Sequence, residues 1–344
     1  MENNKNASVG RRGFLKAVGA TAVGGTNAIG PGVASGDSLV EAAAIPKRKL
    51  GKRGPELPIL AYGGAGLPKH WGNPLSIEDR VKLVRYGFDR GVRMFDTAGN
   101  YMESASIMGE ALKEVRRDAF LCSKVETTLP GQVRAAVERQ LEQLKTDYLD
   151  ACLIHGTPGL EQMTIPQAMK IHAQLAKLRD EGMIRQIGFS AHSYYDKAVA
   201  LVDSGGFDLC MLAYGYLPRG HNQIFSERNL KLRDQCMTKA KEQGMGVIAM
   251  KVIGAGVMGG WAPYLVPEFD QSKVKDLPGA AIRYLLTDKR VDMLVIGMRL
   301  KSDIDENIAT LMGDPTFTEE DRKLLADFLP KALASKAFKA MKVE

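Results

Sequence analysis

Eight short apolar runs, strung along residues 46–300 and separated by helix-like stretches, limit this chain more than any other feature. They are PILAYGG, VRMFDTA, AFLCSKV, LDACLIHG, IRQIGFSA, FDLCMLAY, GVIAMKVIG and VDMLVIGM. Each is too short for a helix and rich in β-branched or aromatic residues. Continuous apolarity, rather than alternation, suits strands covered on both faces, as in a parallel sheet. Between the runs, Val133, Val137, Leu141 and Leu144 form one stripe at helical spacing, and Ala168, Ile171, Leu175 and Leu178 form another. Thr164 is placed to cap the second helix, Pro166 suits its first turn and Gly182 its end. Eight strand–helix units in this length predict an α/β fold, a (β/α)8 TIM barrel. A doubly wound open sheet is the alternative, but no G-x-G-x-x-G follows the first strand. TFTEEDRKLLADFLPKALASKAFKAMK adds one or two C-terminal helices. The expected organisation is a leader over residues 1–45, a barrel over 46–315 and a helical extension over 316–344.

The leader carries an address. Arg11-Arg12, followed by Phe14-Leu15-Lys16, resembles the twin-arginine export signal, and a weakly apolar, Gly-rich stretch leads to small residues suited to cleavage. Gly10 departs from the Ser or Thr of that motif. Gly and Asn interrupt the apolar stretch too often for a membrane span. The expectation is a periplasmic or otherwise exported protein, handled transiently by the twin-arginine machinery with any cofactor already seated. The alternative is a disordered tail with a chance Arg pair, on a cytoplasmic protein.

Charge and cysteines exclude other classes. The net charge of +7 is spread along the chain with no basic stripe of interleaved aromatics, so a nucleic-acid partner is not expected. Cys122, Cys152, Cys210 and Cys236 are far apart, and no C-x-x-C pair offers zinc or iron–sulfur spacing, so no metal is expected. Three of them lie in strand-like runs and read as buried small hydrophobes.

In a barrel of this kind, chemistry sits at the carboxyl ends of the strands. Asp96 ends the second run with Tyr101 in the loop after it, Lys124 ends the third and His155 the fourth. Each has a bland reading alone: a helix cap, a surface charge, a satisfied core histidine. Four such groups on one rim of consecutive strands are harder to explain that way.

FDTAGNY, SK and LIH, in this order and spacing, resemble the Asp, Tyr, Lys and His tetrad of the aldo-keto reductase family. GEALKE, IRQIGFS and IGMRLKSDIDEN match family segments elsewhere, and the resemblance runs from about residue 48 to 312. It implies an NADPH- or NADH-dependent oxidoreductase acting on an aldehyde, ketone or sugar-like carbonyl, a small-molecule substrate. A free phenol ionises near pH 10 and is a weak proton donor. Lys124 beside Tyr101 is expected to lower that pKa, Asp96 to pair with Lys124, and His155 to hold the substrate carbonyl. Tyr101 then serves as general acid.

The resemblance also implies a cofactor shell of Gly64, Ser190, His192, Met250, Lys251, Gly297, Arg299, Asp303, Glu306 and Asn307. Here the chain departs from the family. Ser190-Ala191-His192 replaces Ser-Asn, as in a GFSxH subgroup whose cysteine-rich tail this chain lacks. His192 is either a substitute donor or a loop histidine. Met211 precedes Tyr214 where Gln is common, and Met250 takes the place of an aromatic that stacks on nicotinamide. Asp303 stands where many members have an Arg for the 2′-phosphate of NADPH. It would repel that phosphate yet accept from a free 2′-hydroxyl. NADP is expected on the family pattern, with NAD the contender. His70, Trp71, Tyr216 and His221 either line a pocket or pack on the rim. A cofactor-binding regulatory or periplasmic redox-partner protein, with little reductase activity of its own, is the competing class.

Overall fold

The computed structural model describes residues 44–343, so the Arg11-Arg12 leader lies outside the described residues. The eight apolar runs form eight strands: β1 (Leu60–Gly63), β2 (Met94–Asp96), β3 (Phe120–Val125), β4 (Leu149–Ile154), β5 (Ile184–Ala191), β6 (Leu209–Ala213), β7 (Gly246–Met250) and β8 (Met293–Ile296). Each pairs in parallel with the next, and β8 pairs with β1 through Leu294↔Leu60 to Ile296↔Tyr62, closing the barrel. The open-sheet alternative is therefore set aside. The helices α1 (Ile77–Asp89), α2 (Ser104–Leu112), α3 (Val133–Gln143), α4 (Ile165–Asp180), α5 (Tyr195–Ser204), α6 (Glu227–Glu242), α7 (Leu277–Leu286) and α8 (Lys301–Met312) return the chain between strands.

Local sequence explains these elements. Strands β3, β4, β6, β7 and β8 are buried along their whole length, which is why their sequences read as unbroken apolar runs. In α3 and α4 the stripes Val133-Val137-Leu141 and Ala168-Ile171-Leu175-Leu178 are buried, each Val, Leu and Ile side chain contributing about 1.5–3 kcal/mol relative to exposure. Thr164 and Gln167 form a capping box at the start of α4, and Gly182 takes a left-handed φ of 83° just past its end. All four cysteines are buried and free. Among the described residues no helix is long and apolar enough to cross a membrane.

The two barrel ends divide their labour. At the amino end, Asp150, Asp208 and Asp292 each begin or precede a strand and accept from a neighbouring strand's N–H (Leu121, Ile187 and Val247, all at 2.9 Å). Each is also ion-paired, to Arg116 and Arg185, to Arg53, and to Lys241 respectively. These groups satisfy strand ends and belong to stability.

Beyond the barrel, α9 (Glu319–Ala334) and a short turn at Lys336–Lys339 follow. Leu325, Phe328, Ala332 and Phe338 join Val257, Met258, Val266 and Phe269 of the β7–α7 connection in a second apolar cluster. Arg283 of α7 grips Asp321 of α9 with two hydrogen bonds, at 2.7 and 2.6 Å. The tail Lys342–Val343 pairs with Gln223–Ile224 of the β6–α6 loop, so the extension reaches the carboxyl face.

Candidate active site

The four residues marked by their strand-end positions meet at the carboxyl face. Lys124, only 1 % exposed, places its ammonium 2.6 Å from Asp96 Oδ1 and 2.8 Å from the Thr97 carbonyl. Neighbouring strands make this possible, since Asp96 pairs with Cys122 across β2 and β3, one pleat from Lys124. The same ammonium lies 4.9 Å from the centre of the Tyr101 ring. His155, just past β4, sets its ring against that of Tyr101 at 5.8 Å, edge to face. Trp71, from the β1–α1 loop, packs on the other side of Tyr101 at 5.4 Å.

Electrostatics in this cleft are dominated by burial. Desolvation alone would make Lys124 a weaker base, but Asp96 and Tyr101 reverse it, and the ammonium stays charged. Burial pushes the Asp96 carboxyl up, and Lys124 pulls it back. Tyr101 departs from expectation. Lys124 does draw the phenol toward ionisation, by charge and by hydrogen bond, yet burial, aided by Asp96 and Glu126, outweighs it and the phenol's pKa is raised. The group is a protonated phenol at neutral pH. Burial likewise lowers the pKa of His155, which is neutral there, against the pull of Glu126.

Sequence reasoning missed several supporting groups. Glu126 lies 3.6 Å from His155 Nδ1 and accepts from the Asn100 amide at 3.0 Å. Gln140 donates to the Lys124 carbonyl at 2.9 Å and takes the Ser123 hydroxyl on its oxygen, fixing the strand that carries the ammonium. Glu126 was findable: it stands two residues past Lys124, and the register Val125↔Ile154 sets it opposite His155.

The expected cofactor residues separate into groups. Gly297 is exposed at the end of β8, with Gly66 backbone packed beside it, and offers bare main chain to a ligand. Arg299 lays its guanidinium over the Trp261 indole at 4.9 Å and donates to the Trp71 carbonyl at 3.1 Å. Asp303 accepts from the amides of Arg299 and Leu300, at 2.7 and 3.0 Å, so a carboxylate already fills the start of α8. Asn307 is buried one turn on, and Glu306 is exposed. Met250 ends β7, nearly buried, and Lys251 follows it with a left-handed φ of 64°.

On β5, Ser190 accepts from the Gly156 amide at 2.8 Å, and His192 sets its ring 6.3 Å from His155. His192 Nδ1 is buried without a hydrogen-bond partner among the described residues. His221 continues the row at 5.9 Å from His192.

The packing around three further residues is also defined. A Cβ at Gly64 would lie 2.5 Å from both the Asp96 carbonyl and Ser104 Oγ, so its smallness serves the packing of β2 and α2. Tyr214 turns outward, donating to Asp288 at 2.9 Å with Arg233 over its ring. Tyr216 stacks edge to face on Tyr284 and belongs to the second cluster. Among the described residues no group of three or more His, Cys, Asp or Glu is arranged to hold a metal.

Comparison with known proteins agrees with this geometry. Residues 59–328 match the model of the Aldo/keto reductase family. A probable aldo-keto reductase 1 of Glycine max is 27% identical over 63% of this chain and 62% of its own length, so the chain spans under two thirds of that relative. L-galactose dehydrogenase of Arabidopsis thaliana is 27% identical over 78% of this chain and 88% of its own length. A solved aldo-keto reductase from Bacillus halodurans, in its holo form, superposes with a TM-score of 0.65 at 18% identity, covering 86% of this chain and 99% of that one.

Proposed function

The chain belongs to the Aldo/keto reductase family and is an oxidoreductase, and from that premise we propose that it reduces the carbonyl of a small aldehyde or ketone, with a reduced nicotinamide dinucleotide as co-substrate and Tyr101 as proton donor. One observation carries the reading: a buried ammonium held between the Asp96 carboxylate and the Tyr101 ring, with a neutral imidazole on the ring's far side.

In this mechanism His155 donates a hydrogen bond to the carbonyl oxygen and turns it toward the phenol. Glu126 stands 3.6 Å from His155 Nδ1, beyond hydrogen-bond distance, so the single proton of the neutral ring can sit on Nε2 and be the one donated to the carbonyl. Tyr101 gives its proton to the oxygen as negative charge collects there. Lys124 stabilises the phenolate left behind, and Asp96 keeps Lys124 charged and aimed. The nicotinamide, when bound, supplies the hydride.

The residues that would hold the dinucleotide suit it. The exposed Gly297 backbone, the Arg299 cation and the unpartnered His192 nitrogen are the donors and contact surface a phosphate-bearing, amide-bearing ligand needs. The family's usual choice is NADP. A second reading, NAD, is favoured by Asp303, whose carboxylate takes the helix amides that a 2′-phosphate would otherwise use. Export by the twin-arginine route with the dinucleotide seated completes the proposal. Fractionation of cells expressing the full chain tests it, and protein confined to the cytoplasm would contradict it.

The test of function is isotopic. Deuterium at C4 of the reduced nicotinamide should appear on the carbonyl carbon of the product. Aldehyde consumption with no transferred label, or no consumption across a panel of small aldehydes, would overturn the proposal.

A further inference from the structure

At the carboxyl ends of β6 and β7, two cations have no acid partner among the described residues. The Lys251 ammonium makes no hydrogen bond and no ion pair among the described residues, although the residue is partly enclosed at the end of β7. Arg219, in the loop after β6, has a buried Nε without an acceptor. Among the described residues its guanidinium donates to one backbone carbonyl, that of His221 at 3.3 Å, and lies over Phe338 of the C-terminal extension at 5.3 Å. By contrast, the buried cations Lys124, Arg80 and Arg116 are answered by Asp96, Glu103 and Asp150. Leaving charge enclosed and unpaired is costly, and a fold retains it where a ligand supplies the counter-charge.

The backbone holds these groups together. A Cβ at Gly215 would lie 2.5 Å from the Lys251 carbonyl oxygen, and one at Gly220 would lie 2.2 Å from that of His192. The loop after β6 is thus pressed against the ends of both β5 and β7, and only glycine permits that approach at either point. The tail strand Lys342–Val343 pairs with Gln223–Ile224 of the same loop and pins it from outside. Burial and the nearby Arg219 push the Lys251 ammonium down to about 7, and burial pushes Arg219 down to about 10. An anion between them would relieve both. The rings of Tyr101, His155, His192 and His221, at steps of 5.8, 6.3 and 5.9 Å, connect the proton donor to this corner.

We propose that Arg219 and Lys251 form a receptor for an acid group, a carboxylate or a phosphate, at the far end of the carbonyl substrate, an assignment that rests on the carbonyl-reductase reading above. Arg219 borders His221 and Phe338 of the C-terminal extension, away from the end of β8 in the chain's order of strands. A substrate with its carbonyl at Tyr101 and its acid group at this corner would lie along the imidazole row.

The experiment compares two aldehydes of equal length, one ending in a carboxylate and one in a neutral amide, using the holoenzyme. Wild-type kcat/KM should favour the acid. Arg219→Met should reduce kcat/KM for the acid by roughly 10- to 100-fold, the scale of a lost hydrogen bond to a charged group, and move the amide by less than about threefold. Arg219→Lys should recover part of the preference. An unchanged acid-to-amide ratio in Arg219→Met would overturn the proposal. So would a Lys251→Met protein that binds reduced dinucleotide about tenfold more weakly with the ratio unaltered, for the cations would then serve the dinucleotide's phosphates. If neither aldehyde is turned over, the carbonyl-reductase reading fails, and calorimetry with the hydroxy acid still decides the receptor. Weaker binding to Arg219→Met supports it, and equal binding contradicts it.

Discussion

Lys124 Nζ touches Asp96 Oδ1 at 2.6 Å while lying 4.9 Å from the centre of the Tyr101 ring, and both charged side chains are almost completely enclosed. The ammonium is thus shared between a carboxylate and the phenol that, in the proposed reaction, gives up its proton.

Removing that ammonium exposes what it balances. Lys124→Met leaves Asp96 as a buried, unpaired carboxylate and should lower unfolding free energy by about 3–5 kcal/mol. Lys124→Met combined with Asp96→Asn should recover at least half of that loss in a urea titration, while carbonyl reduction stays abolished. Recovery of activity in the double variant would contradict the role given to Lys124.

The imidazoles make stability depend on pH. Burial lowers the pKa of His155 and lowers that of His192 further, with Lys251 and His155 adding to the effect on His192. Below the unfolded histidine pKa of about 6.5 the unfolded chain binds protons that the folded chain refuses. Stability therefore rises with pH across that window and is lost on acidification. The melting temperature should fall as pH drops from about 7 to 5, and His192→Asn should flatten that slope.

Catalytic pH dependence runs the other way. Because burial raises the Tyr101 pKa above that of a free phenol, the proton donor stays loaded through neutral pH. The kcat for reduction should hold level between about pH 7 and 9 and fall only in stronger alkali.

The proposed preference between dinucleotides turns on Asp303. Asp303→Ser frees the amides of Arg299 and Leu300 and removes a like charge, so affinity for NADPH should rise roughly tenfold while that for NADH changes little. Fluorescence titration with both reduced dinucleotides measures this directly.

At the opposite barrel end, Asp208→Ala leaves the Ile187 amide without its acceptor and Arg53 without its partner. Chemical denaturation should show a loss of about 1–3 kcal/mol, with kcat unchanged.

The strands were legible because closure of the barrel buries both faces, which writes each strand into the sequence as an uninterrupted apolar run. The tetrad followed from knowing which end of those runs faces the chemistry. The crowding around Gly64 was not legible, because a glycine required by neighbouring backbone looks, in sequence, like one required by a ligand. The outward turn of Tyr214 depends on Asp288, 74 residues away, which no local pattern reveals. The amino-end aspartates were visible all along as the repeated pairs Leu149-Asp150, Phe207-Asp208 and Val291-Asp292, each opening an apolar run. Their role emerged only once the strands lay side by side. The Arg219–Lys251 corner needed the fold as well, because it joins three separate strand ends.

Turnover of a small aldehyde by Tyr101→Phe, measured in a single-turnover experiment with saturating reduced dinucleotide, tests the central claim most directly. Loss of the phenolic proton should slow the reaction by about 10²–10⁴-fold while the melting temperature and dinucleotide affinity stay near those of the wild type. Reduction at the wild-type rate would show that the proton comes from elsewhere and would contradict the account.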